Sequence, residues 1–187
     1  MKTLFVSLAA LAIIVIVVLR LLRDRLSTDR EDLAGDAKAS MHPKNISEID
    51  ALTISLDVGQ QSALFILLAA DGTINRMGTG TTQNAQGDLF IGKADRSIFQ
   101  SVRSLVTDEM ILSLGQGYEM RNPEGQRCKL TLTFKFKDGM SSGLVFLYGS
   151  ESAGPPKRIA DFVRTAVAKT DPWYEDFRQK ALQRKQA

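Results

Sequence analysis

A chain of 187 residues, 44% hydrophobic and 24% charged, is long enough for one domain plus an appendage, and this composition excludes wholesale disorder. One cysteine, Cys128, excludes an internal disulfide and a cysteine-based metal cluster; one histidine, His42, excludes a multi-histidine metal site. The net charge of +3 is dispersed, so no segment reads as a polyanion-binding tail and no nucleic-acid partner is expected.

From Leu4 to Leu19 the chain reads LFVSLAALAIIVIVVL, with Ser7 its only polar residue. As a helix these residues rise about 24 Å. Arg20 can snorkel to the headgroups while Leu21 and Leu22 extend the apolar body toward the ~30 Å hydrocarbon thickness. Backbone groups in lipid must be satisfied internally, so the run is expected to be a transmembrane anchor, held by Leu4, Phe5, Leu19 and Arg20. A cleaved secretory signal is the competing reading. It is disfavoured because Arg20-Leu21-Leu22-Arg23-Asp24-Arg25, and not a set of small residues, follows the apolar run. The expected division is an anchor over 1–23, a juxtamembrane stalk over 24–45 and a globular domain over 46–187. Arg20, Arg23, Arg25 and Arg30 on the C-terminal flank favour the cytoplasmic side for the domain. Within the polar stalk, His42 beside Pro43 reads as a solvent-exposed linker residue.

Ala51–Asp57 alternates with Leu52, Ile54 and Leu56 on one face, as a half-buried strand does. A turn over Val58–Gln61 leads to Ala63–Ala70, apolar on both faces, which suggests a strand inside a sheet. Asp71-Gly72 signals a hairpin into a strand near Thr73–Met77. A Gly/Thr/Asn/Gln loop over Gly78–Gly87 precedes a short strand at Leu89-Phe90-Ile91. Asp95 can cap a helix whose buried face is Ile98, Phe99, Val102, Leu105 and Val106; its end falls between Thr107 and Gly115. After an Asn122–Gly125 turn, Cys128, Leu130, Leu132, Phe134 and Phe136 alternate with Lys129, Thr131, Thr133, Lys135 and Lys137. Lys137-Asp138-Gly139 turns the chain into a strand over Gly143–Tyr148. Pro155-Pro156 starts a helix with Ile159, Phe162, Val163, Ala166 and Val167 inside, and Asp171-Pro172 opens a last helix carrying Trp173, Phe177 and Leu182. The expected fold is therefore α+β: a small antiparallel sheet of about five or six strands, with two or three helices packed on one face, behind the N-terminal transmembrane helix.

Gly59, Asp71-Gly72-Thr73, Gly154-Pro155 and Trp173, spanning residues 52–175, give this order a likeness. It resembles a family of uncharacterised bacterial extracytoplasmic domains of unknown function. That family's paired cysteines in the first turn are absent, since the chain has Val58-Gly59-Gln60-Gln61-Ser62-Ala63 there. The resemblance implies an extracytoplasmic domain, against the arginine count, and carries no activity over.

The catalytic patterns sought do not assemble. Cys128 shares a strand face with Leu130 and Leu132 and reads as a buried thiol. Gly78-Thr79-Gly80-Thr81-Thr82 lacks both the Gly-Lys-Ser/Thr of a Walker loop and the third glycine of a dinucleotide fingerprint. Around Gly149–Gly154 the nucleophile position of a GxSxG elbow is Glu151. Asp108-Glu109 and Glu175-Asp176 are neighbours in sequence, which diverge on a helix. Asn45-Ile46-Ser47 matches a glycosylation sequon, a short pattern common by chance. Two basic groups remain as partner or anionic-lipid surfaces: Lys129, Lys135 and Lys137 on the best strand, and Arg178, Lys180, Arg184 and Lys185 near the C-terminus. The expectation is a single-pass bacterial inner-membrane protein with no cofactor, whose non-enzymatic domain serves interaction or scaffolding and whose partners are the bilayer and a membrane protein complex. The alternative is a tethered hydrolase or small-ligand-binding enzyme using Asp57, Asp88 and Glu119 gathered from distant loops.

Overall fold

Each apolar alternation in the sequence becomes a strand of one sheet. The computed structural model describes residues 44–81 and 87–186. The expected anchor over 1–23, with Leu4, Phe5, Leu19 and Arg20, and the stalk up to Pro43, with His42, lie outside the described residues. No helix among the described residues is long and apolar enough to cross a membrane. The domain is a compact unit starting at Lys44, two residues before the expected Ile46. Asn45 opens it: its side chain caps a 3-10 turn over Ile46–Glu48 by accepting from the Ser47 amide, and Glu48 accepts in return from the Asn45 amide.

The strands are β1 (Ile49–Val58), β2 (Gln61–Ala69), β3 (Thr73–Met77), β4 (Phe90–Lys93), β5 (Gly117–Glu119), β6 (Arg127–Phe136) and β7 (Ser141–Gly149). Their order across the sheet is β4-β3-β2-β1-β6-β7-β5. Hairpin-length links join β1 to β2, β2 to β3 and β6 to β7; these pairs, β3–β4 and β1–β6 are antiparallel, but β5 lies parallel to β7. The α+β class stands; the sheet is seven-stranded and mixed where five or six antiparallel strands were expected. The cause is the crossing between β4 and β5. After β4 the chain traverses the sheet through two short helices, α1 (Arg96–Arg103) and α2 (Asp108–Leu112), to reach the opposite edge. A strand delivered by a crossover can run parallel to its neighbour, which a hairpin cannot do.

Period-2 alternation sends Leu52 and Ile54 of β1, Ile66 and Leu68 of β2, Leu130 to Phe136 of β6, and Leu144 and Phe146 of β7 into a single core. Phe99 and Val102 of α1, Met110 of α2, and Ile159, Phe162 and Ala166 of the C-terminal helix close that core. Each such large aliphatic or aromatic side chain contributes about 1.5–3 kcal/mol when fully buried. Asp95 caps α1 by accepting from the Ser97 amide, and Thr107 caps α2 by accepting from the Met110 amide. The helices occupy one face of the sheet, as expected.

The C-terminal helix α3 runs unbroken over Lys157–Gln186, with Pro172 inside it. Two helices meeting at Asp171-Pro172 were expected. Proline lacks an N–H and crowds the carbonyl four residues back, here that of Ala168, at a cost of about 3 kcal/mol in a helix interior. The fold offsets this with contacts just past the proline. Trp173 Nε1 donates to the Lys93 carbonyl at 3.1 Å, Phe90 meets Tyr174 edge to face at 5.6 Å, and Trp173 stacks on Phe177 at 4.3 Å. These rings cover β4 where Gly92 leaves room for them.

Candidate functional site

The most unusual polar residue in the domain is Arg76 on β3, which has no exposed surface. Ile74 points into the core, so Arg76, two residues on, must do the same. Its Nε donates to the Gly78 carbonyl at 3.1 Å, Nη1 to the Val167 carbonyl at 3.3 Å and to Thr170 Oγ1, and Nη2 to Asp171 Oδ1 at 3.0 Å. The guanidinium also lies 5.2 Å from the centre of the Tyr174 ring. Burial lowers the Arg76 pKa from its ordinary value, while the Asp171 charge and hydrogen bond pull it back up. These bonds make Arg76 a clamp between β3 and the proline-bearing stretch of α3. Sequence reasoning passed over it; the signal was a charge placed in phase with Ile74.

The basic strand face is where the alternation puts it. Lys129 and Lys135 are exposed on β6, opposite the core, and Lys137 is exposed just past the strand end. In register, Lys129 lies across from Asp57 on β1 and Leu147 on β7, and Lys135 across from Ala51 and Ser141. None of the three lysines forms an ion pair among the described residues. Asp57 instead accepts a 2.6 Å hydrogen bond from the Ser62 hydroxyl. The second basic group is largely neutralised along its own helix: Arg178 pairs with Glu175 at 2.9 Å and Lys180 with Asp176 at 2.6 Å. Arg184 and Lys185 continue the helical backbone. Those pairs also account for the Glu175-Asp176 carboxylates, and Glu109 pairs with Arg158.

The carboxylates of the enzyme alternative are not brought together. Asp57 ends near the middle of the sheet on β1, Asp88 precedes β4 at one edge, and Glu119 lies on β5 at the other. Six strand spacings of about 4.8 Å separate the two edges. Cys128 is 4% exposed in a small cluster with Val58 and Ala63, and burial pushes its thiol pKa up. Of the Gly78–Gly87 loop, residues 82–86 lie outside the described residues. Gly80 anchors the near side by donating to the Ala63 carbonyl at 2.9 Å.

A shallow groove of about 370 Å³ runs beside β5, lined by Tyr118, Glu119, Met120, Tyr148, Pro155 and Pro156 among others. Tyr118 stacks flat on Phe146, with ring centres 5.1 Å apart, and both rings also line a small, mostly apolar cavity of about 40 Å³ with Met110, Leu144 and Ile159. Burial, with a smaller effect from Cys128, pushes the Tyr148 phenol up to about 12.

The second face of the sheet carries no helix among the described residues. In-register rows set Met77, Phe65, Ser55, Thr131 and Val145 side by side, and likewise Ile91, Asn75, Leu67, Thr53 and Thr133. This surface mixes small hydroxyls, unpaired lysines and half-buried apolar groups, with Ile91 65% exposed at its edge. Comparison with protein-family models, curated proteins and solved structures finds no match for this chain.

Proposed function

We propose that this chain is a single-pass membrane protein whose α+β domain works as a non-enzymatic interaction or scaffold module beside the bilayer. The apolar run Leu4–Leu22, flanked by arginines, supports the tether and the cytoplasmic side for the domain. The observation that carries the interaction reading is the sheet face that no helix among the described residues covers, with Lys129, Lys135 and Lys137 beside half-buried Phe65, Leu67 and Val145. The resemblance to extracytoplasmic domains supports the opposite side of the membrane and leaves the module reading unchanged. Co-purification from detergent extracts tests the proposal. Recovery of a stable complex through the domain is expected. Recovery of a lone monomer, under conditions that keep other membrane complexes intact, overturns it.

A second reading is favoured by the groove beside β5, whose volume lies within the ~300–1,000 Å³ of small-ligand sites. In that reading Tyr118 and Tyr148 hold a small apolar ligand, and Tyr118→Ala abolishes binding in a fragment screen read by nuclear magnetic resonance.

A further inference from the structure

We propose that the sheet face opposite the helices packs against the same face of a second copy of this chain, across a two-fold axis running along the seam between β1 and β6. The proposal rests on the interaction reading above and names its partner. The four central strands β2, β1, β6 and β7 are nine or ten residues long. At ~4.8 Å between strands and ~3.3 Å per residue, their open face projects to roughly 19 by 30 Å, about 600 Å². Side-chain relief and the flanking β3 and β4 enlarge it toward the ~800 Å² per partner of a standard interface.

The two faces are also complementary. An isologous contact brings each residue against its mirror position in the strand order, so β1 meets β6 of the partner copy and β2 meets its β7. In the Asp57 row, each Asp57 then faces the Lys129 of the other copy, twice over. Lys129 has no ion pair within its own chain among the described residues, so it is available for that contact. In the next row Phe65 meets Val145, with Ser55 against Thr131 at the axis. One row further, Leu67 projects toward Gly143, which presents no side chain, and Thr53 meets Thr133. Large residues thus meet small ones, hydroxyls meet hydroxyls and opposite charges meet. Two sheets packed face to face stand about 10 Å apart, a gap that these side chains fill.

Sedimentation of the full chain in a monodisperse detergent tests this. Wild type is expected at the mass of two chains. Asp57→Lys alone sets like charges against each other twice in its homodimer, and so does Lys129→Asp alone, so each variant loses at least tenfold in dimer affinity. Mixing the two variants restores the dimer. The lysine introduced at position 57 of one chain then faces the aspartate introduced at position 129 of the other, while the remaining contact keeps its wild-type pair. That rescue is intermolecular, since each chain still carries a like-charge pair on its own sheet. Retained Trp173 fluorescence shows that the variants fold. Monomeric wild type, undiminished pairing of either single variant, or a mixture that stays monomeric overturns the proposal. Monomeric wild type that still co-purifies with a different protein overturns the self-pairing while leaving the interaction reading intact.

Discussion

Truncating Arg76 to alanine tests the strongest local claim of the fold, that one buried guanidinium holds the proline-bearing part of α3 to β3. The change strips a donor from the buried Gly78 carbonyl, while the Val167 carbonyl keeps its bond from the Thr170 hydroxyl. A buried acceptor left unsatisfied costs about 1–3 kcal/mol. Asp171 is 47% exposed on its side chain and rehydrates, so its lost partner adds little. Thr170 keeps its bonds to the Ala166 and Val167 carbonyls. The void left by a large buried side chain adds a packing loss of about 1–2 kcal/mol. The expected total is about 4 kcal/mol. With an unfolding entropy near 2.1 cal/mol/K per residue over roughly 140 residues, this lowers the melting temperature by about 14 °C. Arg76→Met, which keeps most of the volume, should lose about half as much. Thermal unfolding by circular dichroism reads both. A loss below about 1 kcal/mol for Arg76→Ala would refute the clamp and leave the continuity of α3 to the aromatic contacts alone.

Restoring an amide donor with Pro172→Ala should stabilise the domain by about 2 kcal/mol, the helix-interior penalty of about 3 kcal/mol less the roughly 0.4–1 kcal/mol of entropy proline removes from the unfolded chain, measured by urea unfolding. A Cβ at Gly92 would sit 3.0 Å from Trp173 and 3.2 Å from Phe177, so Gly92→Val should cost about 1–3 kcal/mol and red-shift the fluorescence of the lone tryptophan as α3 lifts from β4. Alkaline titration by ultraviolet absorbance should show one tyrosine ionising near pH 12, and that phase should vanish in Tyr148→Phe. Because the folded value is raised, the associated stability is complete below the unfolded value near 10 and is lost as pH climbs through about 12. The Tyr148→Phe domain should therefore resist alkaline unfolding better than wild type.

Where a strand or helix carried its own period, the sequence was enough to find it. The alternation from Cys128 to Phe136 needed only the pleat of a strand to identify β6, and Asp95 ahead of Phe99 and Val102 marked α1 through its cap and buried stripe. Three features depended on tertiary structure. The three residues of β5, all exposed, carry no apolar pattern, and their parallel pairing follows from the path across the core face. At Asp171-Pro172 the local rule for ending a helix was sound, but Arg76, Trp173, Tyr174 and Phe177 overrode it. Arg76 itself sat in phase with a buried isoleucine, yet its charge argued for the surface until Thr170 and Asp171 were seen beside it. The basic surfaces divided similarly: spacing placed Lys129 and Lys135 on the open face, whereas Arg178 and Lys180 are paired with carboxylates three and four residues away.

The tether is tested most directly by washing membranes that carry the full chain with alkaline carbonate and weighing the retained protein intact. The chain is expected to stay in the pellet with Leu4–Leu22 still attached. Release into the supernatant, or a mature chain beginning after residue 22, contradicts it.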